Sequence, residues 1–509
     1  MPTTFFSLAP HGLDAQLIKI EVDHFASQPG TVIVGLPDTA VQESKERVRS
    51  AIKNSGFKYP RGKVVVNLAP ADVRKSGPSF DLAIALGMIA NAQGNSPVDT
   101  SNMLFFGELA LDGKLRHVNG ILSLVSVGRD LGFRRIVVPK VNQGEASLIP
   151  DVTIVGVDSL EEVHDFLQGK SNPEVAQVKN LHEFFSKKLP PAVDLCDIKG
   201  QIKGKRALEI AAAGSHNILL CGSPGSGKTM MAKALQGILP RMDIEESLEV
   251  TKLYSLSGLL PSDQVLIHER PFRTVHHTAS GISLVGGGRI PRPGEISLAH
   301  RGVLFLDEMA EFPLSVLELL RQPLEDRRIT IGRSQATITY PAQFVLCGAM
   351  NPCPCGYYEV PEAKKPCTCP EKMVNRYQKK ISGPLMDRID LFCSVSPVKY
   401  QEVSSSDTLE KSEVVAARVE KARDLQKKRY EQSGILCNAE LNSQLLQQFC
   451  TISKPVAVIL EKAMDRLNLS ARGYHRVLKV ARTIADLEGV ETIAEKHVLE
   501  ALQFRKEEE

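Results

Sequence analysis

Eight residues, GSPGSGKT from Gly222 to Thr229, have the types and spacing to hold phosphate. The glycines let consecutive backbone N–H groups close on an anion, and a helix beginning at Lys228 adds its N-terminal dipole. Lys228 offers a cation to β- and γ-phosphate oxygens, and the Thr229 hydroxyl offers a ligand to Mg²⁺. Gly222, Ser223, Pro224, Gly225, Ser226, Gly227, Lys228 and Thr229 are therefore predicted to bind ATP. Phosphoryl transfer also requires an acid for the metal shell and a group to position the attacking water. LFLDE (304–308) offers Asp307 for the first role and Glu308 as general base. An ordinary strand end reads the same in isolation, but this one lies downstream of a phosphate loop. Asn351 closes FVLCGAMN (344–351) and is assigned to polarising the same water; its other reading is a turn-forming Asn before Pro352. Cys353, Cys355, Cys367 and Cys369 follow directly, as two Cys-x-Cys pairs with eleven residues between them. Four thiolates satisfy tetrahedral Zn²⁺ with no open position, which describes a structural site. Weighed against four unrelated loop thiols, the reading here is a zinc clamp that braces the loop leaving Asn351.

Groups this far apart in sequence need a scaffold that gathers them. NILLCG (217–222), GVLFLDE (302–308) and FVLCGAMN are near-continuous apolar runs ending in polar residues, as in the buried parallel strands of an α/β sheet. In such sheets ligands collect at the carboxyl ends of the strands, where these polar residues fall. After Pro397 the chain turns helical and charged, with helical spacing over 412–432, 454–468 and 474–487. Before residue 170, strands are predicted at 31–36, 63–69 and 134–140, and an amphipathic helix at 41–56 ending on Gly56. The polar stretch 171–191, with prolines at both ends, reads as a linker.

Length and composition set outer bounds. A chain of 509 residues divides into two to four domains, and a net charge of +3 leaves any polyanion to be gripped by a local basic surface. The first residues lack the basic and apolar regions of a signal peptide, and FDLAIALGMIANA (80–92) is shorter than a bilayer span. The reading is a cytoplasmic protein with no membrane partner. Its ten cysteines are then metal ligands or buried thiols, with Cys221, Cys347 and Cys393 assigned to buried strands.

GSPGSGKT, GGGRIPRPGEISLAHRGVLFLDEM (286–309), FVLCGAMNPCPCGYY (344–358), ISGPLMDRIDL (381–391) and SARGYHRVLKVARTIADL (470–487) together resemble the magnesium-chelatase-like AAA+ ATPases, and within them the ComM (YifB-like) family. The similarity covers nearly the whole chain. It implies an α/β fold: an AAA+ P-loop core at 193–397 with pore insertions and the four-cysteine zinc-type loop, then a C-terminal helical lid at 398–509. Before them it implies an α+β Lon-protease-like (ribosomal S5 domain 2-like) domain at 1–172, with 173–192 as linker. It also implies a homo-hexamer whose sites are completed by a neighbour. Asn351 becomes a sensor-1 residue, Arg388 an arginine finger acting in trans, and Arg472 the sensor-2 arginine, with Arg476 as its rival.

KSGPSFDLAIA (75–85) resembles the nucleophile region of Lon-type serine–lysine proteases, with Ser79 at the nucleophile position. The catalytic lysine of those enzymes falls two residues after a glycine, and here Leu122 stands after Gly120. Leucine takes no proton, so the domain is expected to be proteolytically inactive and Ser79 to serve as a helix-start residue. Three functions compete. The first is a DNA motor for branched or single-stranded DNA, a helicase or branch-migration factor in natural transformation with recombination proteins as partners. The resemblance puts the glycine- and arginine-rich insertion around Arg289 and Arg292, and a hairpin predicted at 326–343 with Arg333 near its tip, in a ring's central channel along a phosphate backbone; solvated loop charge is the alternative for each arginine. The second is a metal-chelatase-type motor with partner subunits, and the third an ATP-dependent protease or unfoldase.

Overall fold

A computed structural model describes residues 2–94, 99–173, 175, 191–261, 264–288, 291–333, 336–359, 365–397, 410–467 and 469–505. The chain forms two compact units, Met1–Lys187 joined by Ser247–Ile267, and Lys188–Glu246 continued by His268–Glu509.

In the first unit, β1 (Thr3–His11) and β2 (Asp14–Phe25) pair antiparallel from Thr3↔Val22 to His11↔Asp14. The two residues between them suit a tight hairpin, because Gly12 takes φ 66° without a Cβ clash. β3 (Gly30–Val34) lies parallel to β4 (Lys63–Ala69), giving the sheet order β1-β2-β4-β3. The helix Thr39–Asn54, capped by the Asp38 side chain on the Val41 N–H, and the mainly apolar helix Asp81–Gln93, buried from Asp81 to Asn91, pack against it. β5 (Met103–Phe105) pairs parallel with β8 (Arg135–Pro139), which pairs parallel with β9 (Thr153–Val157); β6 (Glu108–Leu109) and β7 (Leu115–Arg116) form a short antiparallel ribbon. The excursion Ser247–Ile267 is tied in by hydrogen bonds: the Gly120 N–H donates to the Ser255 hydroxyl at 3.0 Å, and the buried Glu145 carboxylate accepts from Ser255 and from the Leu122 N–H.

The second unit is built on a five-stranded, wholly parallel sheet of order β11-β14-β17-β10-β18: β10 (Ile218–Gly222), β11 (Phe272–Val275), β14 (Val303–Leu306), β17 (Val345–Met350) and β18 (Leu391–Val395). Ile218 is in register with both Cys347 and Leu391, and Val303 with both Phe272 and Val345. Every residue of β14 and β17 is buried, which is why those segments read as unbroken apolar runs. The helices Ile202–Gly214, Lys228–Ile238, Ser412–Tyr430 and Ala471–Leu487 supply much of the rest of one continuous core. Two small ribbons stand apart from the sheet: β12 (Gly286–Gly287) with β13 (Arg292–Pro293), and the hairpin β15 (Arg328–Arg333) with β16 (Ala336–Pro341). Among the described residues no helix is long and apolar enough to cross a membrane. The stretch read as a linker falls almost wholly outside the described residues.

Candidate nucleotide-hydrolysing site

A parallel sheet delivers the ends of its strands to one edge, and the register decides which side chains meet there. β10 runs into the phosphate loop, where Gly225 and Gly227 take φ of 77° and 92° and let the chain fold over before the helix begins at Lys228. Gly222 is required by close packing, since a Cβ there would stand 2.2 Å from the Val395 carbonyl oxygen. Lys228 Nζ donates to the carbonyls of Gly222 at 2.8 Å and Ser223 at 2.9 Å, and to Asn351 Oδ1 at 3.1 Å. Burial holds its pKa below the ordinary lysine value, partly offset by Cys221, Asp307 and Glu308. Across the gap, Thr229 Oγ1 donates to Asp307 Oδ2 at 3.0 Å, the pairing expected of two groups that share a metal.

Glu308 follows Asp307 with φ 50°, an unfavourable left-handed conformation for a side chain of that size. The turn points its half-exposed carboxylate back across the sheet, where Oε2 stands 3.2 Å from His277 Nδ1. His277 was not among the residues singled out from sequence. Its position follows from the register: Val275 pairs with Leu306, so the residues just after β11 emerge beside Asp307 and Glu308. The structure thus brings Lys228, Thr229, Asp307, Glu308 and Asn351 to one edge, with His277 added.

The four cysteines converge beside them. All four sulfur atoms lie within 4.8 Å of one another, with Cys353 Sγ 3.3 Å from Cys355 and 3.7 Å from Cys367, and Cys355 3.5 Å from Cys367. A tetrahedral Zn²⁺ with Zn–S bonds of about 2.3 Å needs sulfur atoms about 3.8 Å apart, so the set fits that ion. Gly356, with φ 85°, seats this knuckle on the phosphate loop: a Cβ there would stand 2.4 Å from Pro224 Cδ. Cys347 and Cys393 are buried in their strands as expected, whereas Cys221 is only half-buried.

The predicted arginines fall elsewhere. Arg388 stands three residues before β18, at the amino edge of the sheet, where its guanidinium pairs with Glu325 and donates to the Pro384 carbonyl at 2.5 Å. Arg472 reaches the other oxygen of Glu325 at 3.6 Å. Arg476 is turned inward, 3.5 Å from Asp390. Strand β10 has five residues at about 3.3 Å each, so the amino edge before β18, where Arg388 stands, is about 16 Å along the sheet from the strand ends that carry the phosphate loop. Arg292 is exposed in β13, Arg333 ends β15 in register with Ala336, and Arg289 lies outside the described residues. In the first unit, Ser79 sits in the 3-10 turn Pro78–Phe80 before the helix, Leu122 is buried in an apolar core, Lys75 donates to the Pro70 carbonyl, and Lys114 is exposed.

Comparison with known proteins accounts for this arrangement. The family model described as "Magnesium chelatase, subunit ChlI" matches residues 194–403, "Subunit ChlI of Mg-chelatase" matches 20–142, and "Magnesium chelatase, subunit ChlI C-terminal" matches 409–505. The chain is 43% identical over 506 residues to the Competence protein ComM of Haemophilus influenzae, covering 98% of this chain and 96% of that one. It is 43% identical over 496 residues to the protein YifB of Escherichia coli, covering 97% and 95%. A shorter likeness, 36% over 94 residues, joins 18% of this chain to 20% of the DNA repair protein RadA of Listeria monocytogenes. ATP hydrolysis with Mg²⁺ is the chemistry of the chelatase-like motors, and with identity of this extent the chain belongs to the magnesium-chelatase-like AAA+ ATPases, in their ComM (YifB-like) branch.

Proposed function

We propose that the chain is a homo-hexameric motor that works on DNA, driving strand displacement and branch migration of recombination intermediates during natural transformation. The observation that carries this reading is the likeness to a competence protein over 98% of the chain, and the shorter likeness to a DNA repair protein agrees with it. In this reading the phosphate loop holds ATP, Thr229 and Asp307 hold Mg²⁺, Glu308 draws the proton from the attacking water, and Asn351 orients that water. Arg388 and Arg472 stand at the far edge of the sheet on a shared carboxylate, which supports their acting on the nucleotide of a neighbouring chain. Arg476, turned inward on Asp390, is the poorer candidate for the lid role. Arg289, Arg292 and Arg333 follow the DNA backbone in the ring's channel. The helices from Ser412 onward are the lid, and the four cysteines hold a structural zinc. The first unit is a Lon-protease-like domain without proteolysis: the apolar surroundings of Leu122 and the capture of Lys75 by a carbonyl both support an unassisted Ser79. Its setting is cytoplasmic, with recombination proteins as partners.

The family description of residues 194–403 favours a second reading, a chelatase-type motor serving partner subunits. Purified wild type and Lys228→Ala are to be compared on forked duplexes and three-way junctions. ATP-dependent unwinding by the wild type alone is expected. No unwinding with ATPase activity intact would turn the assignment to the chelatase-type motor.

A further inference from the structure

At the amino edge of the parallel sheet, opposite the phosphate loop, the second unit forms a partly open cavity of about 160 Å³. Its floor is made by residues that precede or begin the strands: Asn217 before β10, Gly302 before β14, Phe344 before β17 and Asp390 before β18. Seven cationic side chains line it against three carboxylates. Arg270, Arg301, Arg327, Arg423 and Lys479 line it together with Arg388 and Arg476. The carboxylates are already engaged. Glu246 takes Arg270 at 2.9 Å and Arg301 at 3.7 Å, Glu440 takes Arg327 at 2.8 Å, and Asp390 takes Arg476. Arg388 has its carboxylate, Glu325, outside the lining.

Two cations are left over. Among the described residues, Arg423 donates only to the Ala212 carbonyl at 3.1 Å, the Ser215 hydroxyl at 2.7 Å and the Leu436 carbonyl at 3.5 Å. It is 6% exposed, and its Nε–H has no acceptor. Lys479 Nζ donates to the Ala439 carbonyl at 3.0 Å, and burial holds its pKa below the ordinary lysine value with Asp390 only partly offsetting. Burying a charge without a counter-charge is costly, and surplus positive charges around one cavity repel one another. A bound anion with several negative charges would relieve both costs.

We infer that this cavity is a second anion site, which takes a compact polyphosphate group in contact with Arg423 and Lys479. The size suits a pyrophosphate unit, either free or as the phosphate tail of a nucleotide. Arg423 lies on the helix Ser412–Tyr430 and Lys479 on Ala471–Leu487, so occupancy would fasten the C-terminal helices to the amino edge of the sheet.

The test uses the full chain carrying Lys228→Ala, which weakens the phosphate loop as a competing site. Pyrophosphate is titrated at about 150 mM salt by calorimetry and by its effect on Tm. One equivalent is expected to bind with Kd below about 1 mM and to raise Tm, which sulfate at matched ionic strength does not reproduce. ADP in place of pyrophosphate decides the source: an equal response assigns the site to a nucleotide tail, no response to free pyrophosphate. Arg423→Gln and Lys479→Gln are each expected to weaken binding at least tenfold, with circular dichroism unchanged. Should Arg423→Gln fail to fold, Lys479→Gln carries the test, since its ammonium touches one carbonyl. Absence of saturable binding, affinity unchanged in the folded variants, or binding seen only at concentrations where the chain has assembled would each overturn the inference, the last by assigning the anion to an interface.

Discussion

Lys228 and Asn351, 123 positions apart in the chain, share a hydrogen bond of 3.1 Å across the phosphate loop. The register of β10 against β17 prepares the contact: Cys221 pairs with Met350, so Asn351 emerges beside the start of the phosphate loop, and Lys228 folds back over that loop to reach it. In the proposed mechanism Lys228 holds a ground-state phosphate, whereas Asn351 acts on the water that attacks in the transition state. The two residues should therefore separate kinetically. Lys228→Ala is expected to lose nucleotide binding and turnover together. Asn351→Ala is expected to lower kcat by about 10²–10³ while leaving ATP affinity within about threefold. Parallel losses of affinity and kcat in Asn351→Ala would remove it from the hydrolytic step.

Glu325 joins Arg388 and Arg472 through its two oxygens, and hydrogen bonding to Arg388 holds its carboxyl below the usual range despite some burial. A half-exposed ion pair contributes little to stability, about 1 kcal/mol or less. An arginine that completes a neighbour's site contributes on the order of 10³–10⁵ in rate. Arg388→Ala is therefore expected to keep its Tm within a few degrees and to lose at least about 10³ in turnover, whereas Glu325→Gln changes turnover less than tenfold. Mixing Arg388→Ala with Lys228→Ala chains should restore part of the activity, because some interfaces then pair an intact loop with an intact arginine. No recovery in mixed rings would end the trans assignment.

How much of this was legible in the sequence depends on whether the signal was local. The strands at 217–222, 302–308 and 344–351 were, since parallel strands buried on both faces must read as apolar runs and their polar ends must mark the site. The hairpin at 326–343 also forms, with strands at Arg328–Arg333 and Ala336–Pro341. The β1–β2 hairpin was missed although β2 carries the signal, with buried Ile18, Ile20 and Val22 alternating with Lys19 and Glu21; only the β1 end, at Ala9, Pro10 and His11, lacks that alternation. His277 and Glu325 gave no local sign: one is a histidine after a short strand, the other one of 59 acidic residues. Their positions exist only once β11 is laid against β14, and once the residues before β15 are brought to those before β18. The basic cavity is less legible still, since its charges come from segments between Ser215 and Lys479 that only the assembled sheet gathers.

Gly356 links the cysteine knuckle to the loop that holds phosphate. A methyl group there would stand 2.4 Å from Pro224 Cδ, on a backbone with φ 85° that a side chain rarely adopts. Gly356→Ala is expected to retain about one zinc per chain, because the four sulfur atoms are untouched, and to raise the KM for ATP several-fold by displacing Pro224. Cys367→Ser or prolonged chelation is expected to lose the metal and lower Tm as well. Metal analysis read beside ATP affinity separates the cases. Unchanged ATP affinity in Gly356→Ala would show that the knuckle and the loop are mechanically independent.

Asp390 supplies a pH test of the sheet's amino edge. Burial works against its charged form, but the approach of His216 at 3.4 Å, with Arg476 and Lys479, prevails and holds its pKa at about 2 against an ordinary 3.8. A carboxylate whose folded pKa lies below its unfolded value stabilises the fold above the unfolded pKa. That contribution, about 2 kcal/mol, is lost as pH falls from about 4 towards 2. Asp390→Asn removes the titration and leaves Arg476 without its carboxylate. Its stability deficit against wild type, measured by urea unfolding, should be large at pH 7 and should shrink by about 2 kcal/mol by pH 2. Because every other carboxylate titrates in both proteins, the difference isolates this one. An equal deficit at both pH values would mean that Asp390 is not held ionised by its cationic neighbours, and that its backbone bond to Asn217 is what matters.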